Sequence, residues 1–230
     1  MNAALLMSAA LLAAPPTTVP AGEEPLVDIQ TINPRFLLDI RYATPDNFAK
    51  VAAYPVARCV VRKSVAERMG EAQAWLDERH PGTVLMFKDC YRPDRVQRIL
   101  YRAVRGTKMA AYVANPDTST GSIHSYGAAV DLTLAREGKE LAMGTAYDHL
   151  GKLAEPRHEA RFLKQGKLTK LHIANREILR GAMKHARMRG LRNEWWHFNA
   201  GTSRQVRRRY TRLDVPLADV PRPKPAPKAP

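Results

Sequence analysis

The sequence predicts an α+β fold, with helices packed against a small, mainly antiparallel sheet. Segments of helical and of strand periodicity interleave along the chain, without the steady βαβ rhythm of a parallel sheet. No stretch repeats another. At 230 residues, 45% apolar and 26% charged, the chain is long enough for one domain with a sizeable core.

The elements follow in order. Residues 1–24 read as a signal peptide and linker. "AALLMSAALLAA" is an apolar run of 12 residues, too short to span a bilayer and of the length of a signal-peptide core. No Lys or Arg precedes it, and "APPTTVPAGEE" offers small residues for cleavage. Export to the periplasm is the expectation, and a cytoplasmic chain with a leader is the alternative. No other segment nears membrane-spanning length, so no integral membrane segment is expected in the mature chain. The expected domain covers residues 25–215. Residues 64–82, "SVAERMGEAQAWLDERHPG", read as a helix with Ser64 as N-cap and Pro-Gly as stop. "TVLMFKD" (83–89) is a short apolar strand, and Pro93 opens a second helix. "GSIHSYGAAVDLTL" (121–134) begins as a loop and ends as a strand in which Val130, Leu132 and Leu134 alternate. Residues 170–190 read as a helix ended by Gly190, and the aromatic "EWWHFNA" (194–200) as a strand. The Pro/Lys-rich tail over 216–230 is expected to be disordered.

The net charge is +15, which directs attention to anionic partners. Between Glu155 and Arg212 there are 16 Lys and Arg against 4 Asp and Glu. Arg176, Arg180, Lys184 and Arg187 fall on one face of helix 170–190, with Leu171, Ile178, Leu179, Ala182 and Met183 toward the other. That basic face is either simply solvated or a docking face for an anionic cell-wall polymer or a membrane surface. Nucleic acid is not expected, because no zinc-finger, helix-turn-helix or RNP-type pattern accompanies the charge. Cys59 and Cys90 are the two cysteines, and the sequence leaves open a single disulfide or two buried thiols.

Asp131 interrupts the apolar strand, and a buried carboxylate is costly unless paired or bound to a metal. A hydrolytic metal site needs about three protein ligands and an open position. His124, Asp131 and His197 would supply two imidazoles and a carboxylate, a set that suits zinc. Glu194, three residues before His197 on the same extended segment, is then spare and suited to act as a general base. Arg92, between a strand and a helix start in "DCYRPDRV", could stabilise an oxyanion, or could equally cap the helix or sit on the surface. Spacing alone leaves these readings open.

The combination S-x-H-x-x-G-x-A-x-D (Ser122, His124, Gly127, Ala129, Asp131), followed by E-x-W-H (Glu194, Trp196, His197), resembles the LAS group of metallopeptidases. Within it the chain is most similar to the D-Ala-D-Ala dipeptidases of the vancomycin-resistance type. "RYATPDNF", "DCYRP", "SIHSYGAAVDLTL", "MGTAYD" and "RNEWWHF" match that family's blocks in order, over roughly residues 39–198. The resemblance implies one zinc ion per chain on His124, Asp131 and His197. It implies Glu194 as the base that takes a proton from the attacking water and gives it to the leaving amine. Arg92 would stabilise the tetrahedral oxyanion. Ser122, Tyr42 and Asp148 would contact the dipeptide, with Asp148 facing its free ammonium. A carboxylate there would select free dipeptides over peptidoglycan stems, whose amines are acylated. The enzymatic alternative is a D,D- or L,D-carboxypeptidase that trims stem peptides. The stretch after Asp148, "HLGKLAEPRHEARFLKQGKLTK", fits the family only loosely.

Overall fold

The computed structural model describes residues 14–222. Thirteen strands and α-helices form in chain order: β1 Leu26–Asp28, β2 Leu37–Leu38, β3 Val60–Arg62, α1 Lys63–Arg79, β4 Thr83–Asp89, α2 Asp94–Val104, β5 Ala129–Arg136, β6 Lys139–Glu140, α3 Glu159–Lys164, α4 Lys170–His185, β7 Arg189–Gly190, β8 His197–Asn199 and α5 Ser203–Arg209. The main sheet has the order β2-β4-β5-β8-β7, with β6 beside β5. Only β2 and β4 run parallel; the other pairs are antiparallel. A small β1–β3 pair lies apart. The α+β architecture expected from the periodicity is the one observed. No described helix is long and apolar enough to cross a membrane.

Strand β5, at the centre of the sheet, is buried on both faces, and α1 and α4 pack on each other and against β4 and β5. Leu85, Phe87, Leu132 and Leu134 have no exposed surface, and with Met69, Leu76, Leu179 and Met183 they form the centre of the core. At about 25 cal/mol per Å² of apolar area, such side chains are each worth ~1.5–3 kcal/mol.

Several boundaries differ from the sequence reading, each for a local reason. The first helix starts at Lys63, so Ser64 lies inside it; the Ser64 N–H is instead capped by the Glu24 carboxylate at 2.9 Å. The fourth helix starts from a reciprocal cap between Thr169 and His172, but ends at His185 rather than at Gly190. Arg187 takes the left-handed turn (φ 57°), and Gly190 becomes a strand residue opposite Phe198. A Cβ at Gly190 would sit 3.3 Å from the Phe198 ring, which explains a glycine at that point. The last strand is shorter than expected: His197 lies on it, while Glu194 sits in the irregular segment before it.

The basic stripe is only partly a solvated face: Lys184 and Arg187 are exposed, whereas Arg176 and Arg180 are engaged by the segment packed on the helix. Arg176 has no exposed surface and donates to the Met143 and Leu153 carbonyls and to Glu159. Arg180 shares Glu159, and Arg187 pairs with Glu71 on α1. Leu171, placed on the apolar side by the pattern, is 61% exposed. Stripe and apolar side are thus rotated relative to the true burial, because the segment over 143–159 covers the helix where Arg176 points.

Parts of both flanks pack on the domain. Arg62 donates to the Glu24 carbonyl and pairs with Glu23, and the Asp214 N–H reaches the Pro16 carbonyl. Arg58 holds the carbonyls of Leu217, Val220 and Pro221, so the tail as far as residue 222 is placed rather than loose. The apolar leader run falls almost wholly outside the described residues, as does the tail from 223 onward. Cys59 and Cys90 are disulfide-bonded, with their Cα atoms 5.2 Å apart.

Candidate active site

The site is a row across the sheet. In β5, Asp131 pairs in register with His197 of β8 on one side and with Asp89 of β4 on the other. A bulge between Phe87 and Asp89 makes this register. Without the extra residue, Lys88 would stand opposite Asp131. With it, Asp89 does, and Lys88 is turned away to pair with Asp39 and Glu140, each at 2.6 Å.

His124 reaches the row from the loop before β5. A short 3₁₀ turn, Ile123–Tyr126, ends at Gly127 with φ 70°. The left-handed conformation favours glycine, and a Cβ on Gly127 would also press on the end of the Leu26 side chain at 2.6 Å.

The ring nitrogens are assigned by their outer partners. His124 Nδ1 donates to the Cys90 carbonyl at 2.7 Å, leaving a lone pair on Nε2. His197 Nε2 donates to Asn199 Oδ1 at 2.8 Å, leaving a lone pair on Nδ1. These two lone-pair atoms are 3.1 Å apart, and Asp131 Oδ1 lies 2.9 Å from His197 Nδ1 and 3.3 Å from His124 Nε2. Three acceptors therefore converge with no proton to share. They repel one another unless a cation sits among them, and two imidazoles with a carboxylate are a donor set that suits a divalent transition metal. Burial alone would raise the Asp131 carboxyl, so a positive charge among these three atoms is what keeps it ionised. Tyr147 steadies its other oxygen with a hydrogen bond of 3.1 Å.

Around this centre is a cavity of about 290 Å³, and all eight residues singled out in the sequence line it: Tyr42, Arg92, Ser122, His124, Asp131, Asp148, Glu194 and His197. Glu194 Oε2 is 3.8 Å from His197 Nδ1. Burial pushes its carboxyl up to about 7; His197 opposes the rise, and Asp131 and Asp148 add to it. Arg92 is neither a helix cap nor a surface residue. Its Nε and Nη2 both donate to Asp89 Oδ2, at 2.9 and 2.6 Å, and Nη1 donates to Gln97 at 2.7 Å. Burial works against its charge, but Asp89 more than restores it, so the guanidinium stays protonated.

Asp148 faces the cavity from the segment that Arg176 pins. Tyr42 donates to its Oδ1 at 3.0 Å. Its Oδ2 is buried with no partner, and its backbone is left-handed at φ 61°. Burial, then the Asp131 charge, push its carboxyl up to about 8. An orphaned buried carboxylate oxygen in a strained backbone at a cavity wall is a feature that a ligand would satisfy.

The family described as D-ala-D-ala dipeptidase matches residues 22–216. This chain belongs to that family. Membership makes it a metallopeptidase. Three named relatives agree. A D-alanyl-D-alanine dipeptidase of Escherichia coli K12 is 32% identical over 174 residues, covering 75% of this chain and 83% of the relative. One from Enterococcus faecium is 30% identical, covering 70% and 83%, and one from Synechocystis is 26% identical, covering 77% and 82%.

Sequence reasoning missed the residues that hold the site in shape. Asp89 and Tyr54, whose hydroxyl donates to Asp89 at 2.6 Å, set Arg92. Gln97, Asn199 and Tyr147 set Arg92, His197 and Asp131. Asp89 three residues before Arg92, and Asn199 two after His197, were visible as spacings; nothing in the local sequence marked Tyr54 or Gln97.

Proposed function

We propose that this enzyme hydrolyses the free dipeptide D-Ala-D-Ala to two D-alanines. The observation that carries the reading is the buried, unpartnered Asp148 Oδ2 in the wall of the cavity that holds the His-Asp-His cluster. A substrate ammonium would supply the missing partner, and burying that ammonium elsewhere without one would cost several kcal/mol. The acidic excess supports the same view: Asp89, Asp131, Asp148 and Glu194 are buried around one arginine.

In this reading His124, Asp131 and His197 hold one zinc ion. The metal, when bound, supplies Lewis acidity toward water and the scissile carbonyl. Glu194, poised near neutrality by burial, takes a proton from the attacking water and delivers it to the leaving amine. Arg92, fixed by Asp89 and Gln97, offers its remaining N–H groups to the oxyanion as charge develops. Asp148 and Tyr42 orient the amine end, and Ser122 contacts the dipeptide from the loop before His124.

The Cys59–Cys90 disulfide supports an exported, periplasmic setting. An anionic wall polymer as partner has support at α5, whose Arg204, Arg207, Arg208 and Arg209 are all exposed, rather than at α4.

Incubating the purified protein with free D-Ala-D-Ala and with a stem pentapeptide tests the reading. Release of D-alanine from the dipeptide, abolished by a chelator and restored by zinc, is the expected result. Preferential cleavage of the pentapeptide would replace the dipeptidase by a carboxypeptidase on the same residues.

A further inference from the structure

We propose that Phe48 is the partition that fixes substrate length, and that removing it opens a subsite for peptides extended at the amine end. This rests on the reading that Asp148 holds the dipeptide ammonium.

A second cavity, of about 230 Å³, adjoins the first. Two residues line both: Phe48 and Asp148. They are the wall between them. Any extension beyond the ammonium must pass this wall, because the ammonium marks the amine end of the substrate. The wall is held in place. Phe48 packs edge-on to Tyr42, with ring centroids 6.0 Å apart, and Tyr42 in turn bonds Asp148. The preceding residue, Asn47, is buried and clamps the loop. Its Nδ2 donates to the carbonyls of Arg41, Thr44 and Val51 at 2.6–3.3 Å, and its Oδ1 accepts from the Ala49 N–H. A loop tied down this way presents Phe48 as a fixed wall rather than a mobile flap.

The second cavity is polar. Arg41, Lys50, Asp46 and Glu140 line it, with Lys88 at its base. Lys88 and Arg41 are already paired, with Glu140 and Asp39 and with Asp39 and Asp46. The space therefore suits a residue with a polar or charged side chain and a backbone that can hydrogen-bond, such as the residue preceding a D-Ala-D-Ala terminus. Asp148 would not be stranded by such a substrate, since the amide N–H that replaces the ammonium still offers its Oδ2 one donor. Exclusion of longer peptides is thus a matter of space at Phe48 as well as of charge at Asp148.

The test compares kcat/KM for D-Ala-D-Ala and for L-Lys-D-Ala-D-Ala, cleaved at the terminal bond, in the full chain loaded with zinc. Wild type should strongly prefer the dipeptide. Phe48→Ala should raise the tripeptide-to-dipeptide ratio by at least ~10-fold, chiefly through a lower KM for the tripeptide. Phe48→Leu, which keeps most of the wall, should stay near wild type. If Phe48→Ala does not fold, Phe48→Val should move the ratio in the same direction by less. A folded Phe48→Ala or Phe48→Val with an unchanged ratio overturns the partition while leaving the dipeptidase reading intact. Wild type that does not cleave D-Ala-D-Ala at all overturns that reading, and the partition with it.

Discussion

Arg92 shows how much of the site rests on single side chains. Replacing it with alanine would leave Asp89, which has no exposed surface, with Tyr54 as its remaining close partner, and would mix lost catalysis with lost stability. Arg92→Lys is the cleaner test. It keeps a charge but loses the planar fork that spans Asp89 and Gln97. We expect kcat to fall by ~10–10²-fold with a smaller rise in KM, because the lost bond strengthens only as oxyanion charge develops. A rise in KM alone would make Arg92 a ground-state binder. Glu194→Ala should keep stoichiometric metal by elemental analysis yet lose activity by ~10² or more. Asp148 carries a stability cost. Its carboxyl is raised to about 8 in the fold, above an unfolded value of 3.8. Between those values the folded chain holds the extra proton, so the carboxyl destabilises the fold progressively as pH rises from about 4 to about 8. Asp148→Asn should therefore melt higher than wild type at pH 8 in chelated protein, with the gap closing toward pH 4. An equal gap at both values would mean that its ionisation carries no such cost.

At the scale of elements, the disulfide and the His-Asp-His cluster share a strand end. Cys90 follows β4 directly, its sulfur is bonded to Cys59, and its carbonyl orients His124 at 2.7 Å. The disulfide links residues 31 apart in sequence, which the chain-entropy account values at about 3–4 kcal/mol. The Cys59→Ser/Cys90→Ser pair should lose that much stability in urea melts, and should also bind zinc more weakly, since the acceptor that fixes the His124 ring loosens with it. Loss of stability with unchanged zinc affinity would separate the two roles. Legibility in the sequence divides along the same line. Strand β4 was readable to the residue from its apolar run, because burial alone decides it. The bulge that puts Asp89 rather than Lys88 beside Asp131 was not readable, because it depends on the partner strand. The end of α4 was misread because Gly190 stops nothing; a left-handed Arg187 does. The candidate site side chains were legible through the family blocks they resemble, since their spacing alone left other readings open, whereas Gln97 and Phe48 sit in ordinary helix and loop patterns and acquire meaning only from what lies across the cavity.

Over the whole molecule, the charge of +15 survives folding but is redistributed. Along α4 and the turn after it, Arg176 is buried, Arg176 and Arg180 share Glu159, and Arg187 pairs with Glu71, so that face is partly neutralised. On α5, Arg204 and Arg208 are exposed and have no acidic partner among the described residues, and the helix starts at Ser203, which lines the active-site cavity. If the enzyme is held on an anionic wall polymer, the field that holds it is centred at the cavity mouth. The charge-reversed pairs Arg204→Glu/Arg208→Glu on α5 and Lys184→Glu/Arg187→Glu at the end of α4 and the turn after it change the net charge equally, which makes them a matched comparison. Retention on a teichoic-type polyanion should fall much further for the α5 pair, and wild-type retention should vanish as salt rises from about 0.1 to about 1 M, where the screening length drops from ~10 to ~3 Å. Hydrolysis of D-Ala-D-Ala, a substrate with no net charge, should change little over the same range. Equal losses for the two pairs would mean that only the total charge matters, and the polymer would then have no particular seat on this surface.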